Sequence, residues 1–379
     1  MAKKPIIPYS RQWLDSKDIK EVVKVLKSDW ITQGPKIEEF EKAVAKFCGA
    51  KYGVAFSSGT AALWSAFRAA GIKEGDEVIT TPLTFVATSN TIALLGAKPV
   101  FVDVCLDTLN IDPALIQKKI TSRTKAIATV DFAGVPCDYD RILKIAKQNK
   151  LFLIEDACHA FGTIYKNRKI GSFADMTIVT FHPVKHITTG EGGVVLTNNK
   201  NFYEKLKILR IHGVVKKPEK GKWYYEVEEP SFNFRITDFQ CALGLSQLKK
   251  IDKFLKRRRE IVAKYNESFK NIEGIILPPE KDYKKIARYI YPIQVKKEIR
   301  KKMFEELQKH GIGTQVHYMP LHMHPFYQKK FGYKKGDFPM AERYYEGAIT
   351  IPLYPKMTNR EVEFVIEETK KCILRLAKN

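Results

Sequence analysis

Between about residues 50 and 200, short β-branched runs alternate with segments of helical pattern, and no other feature constrains the fold as tightly. The runs at 52–56, 77–80, 99–104, 126–130, 151–154 and 177–180 have strand length, and the alternation is that of a parallel sheet covered by helices on both faces. The helical segments have readable ends. Residues 60–70 stop at Gly71 and 86–95 at Gly96, while Asp112-Pro113 supplies an N-cap and a first-turn proline to the next. A long polar helix is expected from near Thr237, and 289–295, 312–318 and 349–353 read as strands of a smaller α+β domain. The expected division is a large domain over 1–250, including the N-terminal segment, and a small C-terminal domain over 251–379.

With 379 residues, 44% of them hydrophobic, the chain can bury a large core. Its six cysteines are scattered, without a CxxC pair or a nearby histidine, so no metal site is expected and reduced thiols fit a cytoplasmic setting. The start, Met1-Ala2-Lys3-Lys4-Pro5, has no apolar signal, and nothing approaches the roughly 18 to 20 apolar residues of a membrane span. The formal charge of +23 raises the question of nucleic acid. The basic runs 249–259 and 215–222 lack an aromatic RNA-binding signature, and the first reads as an exposed helix face, so no nucleic-acid partner is expected. The charge fits an anionic substrate instead.

Open α/β sheets bind ligands at the carboxyl ends of their strands. Ser58-Gly59-Thr60 follows the first strand and leads into a helix, offering amides and a positive helix end to an anion. Phe85 follows the second strand, where an aromatic could stack on a planar ligand or simply belong to the core. Asp156 follows Leu151-Phe152-Leu153-Ile154, so its carboxylate sits at a buried strand end and needs a partner; a pyridinium nitrogen is one, a helix-capping role the other. His159, one turn on, could touch a cofactor ring or its hydroxyl. Lys185 lies in Phe181-His182-Pro183-Val184-Lys185-His186-Ile187-Thr188-Thr189-Gly190-Glu191-Gly192-Gly193, a loop of small and polar residues rather than a charged face. A partly desolvated lysine beside such a carboxylate suggests pyridoxal phosphate chemistry, in which the amine forms a Schiff base and later shuttles protons.

Five segments resemble the DegT/StrS-type nucleotide-sugar aminotransferases: 57–63, Thr84-Phe85-Val86-Ala87-Thr88, 155–162, 180–193 and Phe232-Asn233-Phe234-Arg235-Ile236-Thr237-Asp238. The likeness runs in order over nearly the whole chain. It implies an α/β fold of the pyridoxal-phosphate-dependent transferase type I, a homodimer with shared active sites, and Lys185 as the Schiff-base lysine. By the same resemblance Asp156 is the pyridinium partner, and Gly59, Thr60 and Ala61 form the phosphate loop. Phe85 stacks on the ring, and Thr180 stands where a serine is more usual. His159 holds a position that varies between His and Gln, and Asn233 reaches the phosphate from the partner subunit. Within the family, 311–318 with Pro320-Leu321-His322, and 241–248, are most similar to the transaminases of the pseudaminic acid pathway. This implies L-glutamate as donor, a UDP-linked 4-keto-6-deoxy-HexNAc aminated at C4, and a sugar site lined by Tyr9, Thr32, His317 and Tyr318.

A dehydratase branch of the same family carries histidine in place of the lysine; here Lys185 is present and His186 follows it, which favours transamination. Sugar 3-aminotransferases share the cofactor motifs. A non-catalytic binding regulator is the alternative of a different class, and the complete set of Lys185, Asp156 and phosphate loop speaks against it.

Overall fold

The computed structural model describes residues 7–280 and 285–376. Seven strands form the central sheet: β1 (Tyr52–Phe56), β2 (Glu77–Thr80), β3 (Lys98–Phe101), β4 (Thr124–Val130), β5 (Phe152–Asp156), β6 (Met176–Thr180) and β7 (Gly193–Thr197). Their order is β1-β7-β6-β5-β4-β2-β3; β7 runs antiparallel to both neighbours and the remaining pairs are parallel. The six strands expected between residues 50 and 200 are all present with ends shifted by a few residues. β7 was not anticipated.

Successive side chains of a strand point to opposite faces, and the two cores follow that rule residue by residue. Ala55, Ile79, Ile127, Leu153 and Val179 pack on one face against the helices Pro35–Cys48, Tyr139–Gln148 and Asp238–Leu248. Val54, Val78, Ala128, Ile154 and Ile178 pack on the other, against Gly59–Ala69 and Lys200–Leu209. Both faces are covered, which is why the runs are apolar throughout.

The polar helix expected from Thr237 is two helices. Thr237 caps Asp238–Leu248, and Ile251–Phe269 follows after a break at Lys249 and Lys250. In this second helix Ile251, Phe254 and Leu255 pack into the sheet's core, whereas Ile261, Val262, Tyr265 and Phe269 pack into a separate one. That separate core is built on the antiparallel pair β8 (Tyr291–Gln294) and β9 (Ala348–Ile351), covered by Lys297–Lys309 and Asn359–Leu376. Ile7 also packs there.

Two readings of local structure need correction. Segment 312–318 is not a strand, since its ladder pairing reduces to isolated bridges from Ile312 to Ile7 and from Gln315 to Thr350. Between them Gly313 lies so close to the backbone of Ile7, Pro8 and Tyr9 that a Cβ would collide. The basic run 249–259 is not an exposed face throughout, because Arg258 is only 1% exposed. The run 215–222 belongs to a hairpin, Val214–Lys216 with Tyr225–Val227. No described helix is long and apolar enough to cross a membrane.

Candidate active site

The helix Gly59–Ala69 begins directly after β1, so its first amides lack intrahelical acceptors and face outward. Ser58 Oγ accepts the Ala61 N–H at 3.1 Å, which leaves Gly59 and Thr60 as the amides turned to a ligand. The turn is tight: a Cβ on Gly59 would come within 2.9 Å of Thr180 Oγ1, and one on Gly193 within 2.8 Å of Gly59 Cα. Thr180 is therefore held against the helix start, with its hydroxyl bonded to the Gly192 carbonyl at 3.1 Å.

Asp156 ends β5 with its carboxylate buried. Thr88 Oγ1 donates to Oδ2 at 2.7 Å and the Cys158 amide to Oδ1 at 3.1 Å; Thr84 and Thr88 share a further hydroxyl contact at 3.1 Å. Both carboxylate oxygens are thus fixed by donors. The Cys158 amide bond is also the capping contact of the competing reading.

Lys185 follows the turn closed by its own N–H on the His182 carbonyl at 2.9 Å. Its ammonium lies over the Tyr289 ring, 4.1 Å from the centroid. Burial pushes it down to about 8, and the nearby Cys158 and Asp156 oppose that fall. The backbone carbonyl of Lys185 accepts from Arg258 at 3.3 Å.

His159 Nδ1 accepts the Ala133 amide at 3.4 Å, so the neutral ring carries its proton on Nε2. Nε2 sits 3.1 Å from the Tyr289 hydroxyl and 3.2 Å from that of Tyr318, and the two hydroxyls are 3.1 Å apart. Burial pushes His159 well below the usual imidazole range and takes His186 and His317 down to about 3, with Lys185 adding to each. All three are neutral in the working range. His317 Nδ1 meets Thr350 Oγ1 at 2.9 Å, and Tyr9 packs on the His317 ring at 5.5 Å.

Phe85 is 54% exposed at the start of its helix, with its ring 5.9 Å from that of Tyr318. Its exposure leaves the ring available to a planar ligand.

The fold gathers Phe85, Asp156, His159, Lys185, Tyr318, His317 and Tyr9 into one contact network at the strand ends, with Thr180 and the phosphate loop on the neighbouring strands. Thr32 and Asn233 are not in that network. Thr32 is exposed and bridges to Thr237, while Asn233 is exposed and accepts the Arg235 amide at 3.3 Å. Tyr289, Thr88 and Arg258 were not anticipated. Tyr289 opens an apolar run that reads as core. Thr88 lies in a segment singled out for Phe85, three residues before it.

The residues present fit pyridoxal phosphate. Open amides and a hydroxyl suit its phosphate, a donor-fixed carboxylate suits its ring nitrogen, and a lysine of lowered basicity suits its aldehyde. Among the described residues, no three His, Cys, Asp or Glu side chains gather as metal ligands.

A family model described as the DegT/DnrJ/EryC1/StrS aminotransferase family matches residues 12–370. The chain is 40% identical, over 98% of its length and 99% of the relative's, to a UDP-4-amino-4,6-dideoxy-N-acetyl-beta-L-altrosamine transaminase of Campylobacter jejuni. Among solved structures it resembles Helicobacter pylori PseC, an aminotransferase involved in the biosynthesis of pseudoaminic acid. That match has a TM-score of 0.93 and 36% identity, and covers 98% of this chain and 100% of that one. It also resembles Spr1654 of Streptococcus pneumoniae in its PLP form, with a TM-score of 0.92 and 33% identity over 98% and 99% of the two chains.

Proposed function

The chain belongs to the DegT/DnrJ/EryC1/StrS aminotransferase family, and from that premise we propose that it moves the amino group of L-glutamate to C4 of a UDP-linked 4-keto-6-deoxy-HexNAc. It is a pyridoxal-phosphate-dependent sugar aminotransferase. When bound, the cofactor supplies an electron sink that accepts the amino group from the donor and delivers it to the keto sugar.

In this reading Gly59, Thr60 and Thr180 hold the phosphate, Phe85 covers one ring face, and Asp156 stands against the ring nitrogen. Thr88 and the Cys158 amide keep the Asp156 carboxylate aimed. Lys185, near neutrality at about 8, takes a proton at Nζ and returns it within one catalytic cycle. His159 stays neutral and presents Nε2–H as a donor to the two tyrosine hydroxyls. One of the two hydroxyls donates to the other, so one hydroxyl hydrogen remains for a substrate oxygen. Tyr9, His317 and Tyr318 wall the sugar side.

The active unit is a homodimer with shared sites. Trp30, Ile31 and Phe232 are large, apolar and exposed, and they flank Thr32 and Asn233. A second copy laid on this surface would bury them and carry Thr32 and Asn233 to the other site.

The observation that carries the reading is the meeting, at the ends of β5 and β6, of one lysine of lowered basicity with one donor-fixed carboxylate. The test uses purified protein, pyridoxal phosphate, nitrogen-15-labelled glutamate and UDP-4-keto-6-deoxy-N-acetylhexosamine. Glutamate should bleach the visible cofactor band, the keto sugar should restore it, and the label should appear as an amine on C4. Label on C3, or bleaching that this sugar never reverses, would overturn the substrate assignment.

A further inference from the structure

Tyr289 meets Lys185 in two ways. Its ring face lies 4.1 Å under the ammonium, and one guanidinium ties the backbones of both residues together. Arg258 donates to the Tyr289 carbonyl at 3.0 Å, to Lys185 at 3.3 Å and to Leu353 at 2.9 Å. The backbones that carry ring and amine are therefore held by one shared brace. Arg258 has no carboxylate partner among the described residues, and its Nε is buried without an acceptor. A buried arginine bonded to three carbonyls in place of an acid fixes backbone geometry at an electrostatic cost.

The charges facing Lys185 leave the ring an identifiable role. From the end of β5 come Asp156, already bonded to two donors, and Cys158, whose thiol burial keeps protonated. His159, His186 and His317 are held neutral by burial, as are the hydroxyls of Tyr289 and Tyr318. Tyr9 is likewise protonated, and Arg258 lies beneath the loop. Beside Asp156 and Cys158, the aromatic face is what stabilises the ammonium form.

We propose that Tyr289 is a positioning residue that sets the basicity of Lys185, its ring carrying the ammonium while its hydroxyl links that amine to His159 and Tyr318. The inference rests on Lys185 being the reactive amine of the proposed function and adds the residue that tunes it. An ammonium on a desolvated ring face resists deprotonation, whereas burial alone drives it the other way. The balance of the two leaves the amine able to hold a proton and able to give it up.

The test replaces Tyr289 by phenylalanine and then by phenylalanines of increasing fluorination, which keep the ring's shape while draining its face of negative charge. The full chain without cofactor is treated with cyanate across pH, and the rate at Lys185 is followed by peptide mass spectrometry. With phenylalanine the midpoint should stay close to that of wild type. Fluorination should lower it progressively, by about one pH unit at the fully fluorinated ring, as expected for loss of a desolvated cation–π contact. Tyr289→Leu should give a similar drop. A midpoint unmoved through the series would overturn the inference and leave Tyr289 a packing residue. The functional reading is checked separately, by the visible band of wild-type protein with pyridoxal phosphate. Failure there would overturn that reading, while the cyanate titration still reports on Tyr289.

Discussion

Glu155→Gln should change how stability depends on pH, because of an acid pair directly behind the site. Asp131 and Glu155 are both 0% exposed. Asp131 Oδ1 accepts from the Cys137 amide at 2.9 Å and the Tyr139 hydroxyl at 2.8 Å, and Glu155 Oε2 accepts from Thr177 at 2.5 Å. The remaining oxygens, Asp131 Oδ2 and Glu155 Oε1, are buried with no other partner. Burial first, then the charge of Glu155, pushes Asp131 well up, and burial raises Glu155 as well. One shared proton satisfies both leftover oxygens. In the unfolded chain both carboxyls ionise near pH 4, so above about pH 5 the folded chain holds one proton more than the unfolded one. The raised folded-state affinity makes its contribution complete below the unfolded range and lost as pH rises. The slope is about 1.4 kcal/mol per pH unit until the folded pair ionises. Glutamine can donate to Asp131 and still accept from Thr177, so it keeps the contacts and removes the second of the two causes that raise Asp131. Urea midpoints at pH 5.5, 6.5 and 7.5, at one protein concentration and without cofactor, should fall more steeply for wild type than for the variant. The full linkage of one proton, about 3 kcal/mol over two pH units, is the ceiling on the accumulated difference. Parallel curves would refute the shared proton.

Three further outcomes follow from the site. Lys185→Ala should still bind pyridoxal phosphate by equilibrium dialysis, yet lose turnover by more than about a thousandfold; substantial residual activity would remove Lys185 from the chemistry. Asp156→Asn should weaken cofactor binding roughly 10- to 100-fold by loss of a charged contact and depress kcat, with little change in circular dichroism. A lowered melting temperature with intact kcat would instead favour the capping role. Mixed dimers of Lys185→Ala and Asn233→Ala subunits should recover activity that neither homodimer shows, since one site of each hybrid carries no lesion. Absence of recovery would mean that Asn233 acts within its own subunit.

How much of this was legible in sequence depends on whether a residue's role is fixed by its neighbours in the chain or by distant ones. The sheet was legible because strands covered on both faces must be apolar throughout, and Gly71 and Gly96 mark the helix ends between them. Ser58, Phe85, Asp156 and Thr180 were legible for the same reason: each stands at the end of such a run, where an open α/β sheet collects its ligands. β7 was missed because no helix separates Gly193–Thr197 from β6, so the alternation of strand and helix that marks the other strands does not extend to it. Tyr289 was hidden differently, since its apolar surroundings are those of any core tyrosine and its importance comes from Lys185, a hundred residues earlier.

Arg258 is the instructive case. The run 249–259 is basic on average, and average composition suggests a solvated face. Position by position, however, Ile251, Phe254, Leu255, Ile261, Val262 and Tyr265 recur at helical spacing, and Arg258 falls on that same stripe. A charged residue on the apolar stripe of a helix must find acceptors inside the protein. With no carboxylate provided, backbone carbonyls are what remain, and they are available where chain segments end or turn instead of pairing. The carbonyls that Arg258 takes, those of Lys185, Tyr289 and Leu353, lie in such segments. The misplaced charge in the sequence thus pointed to the place where the Lys185 loop is anchored, and periodicity, rather than composition, was the signal that could have revealed it.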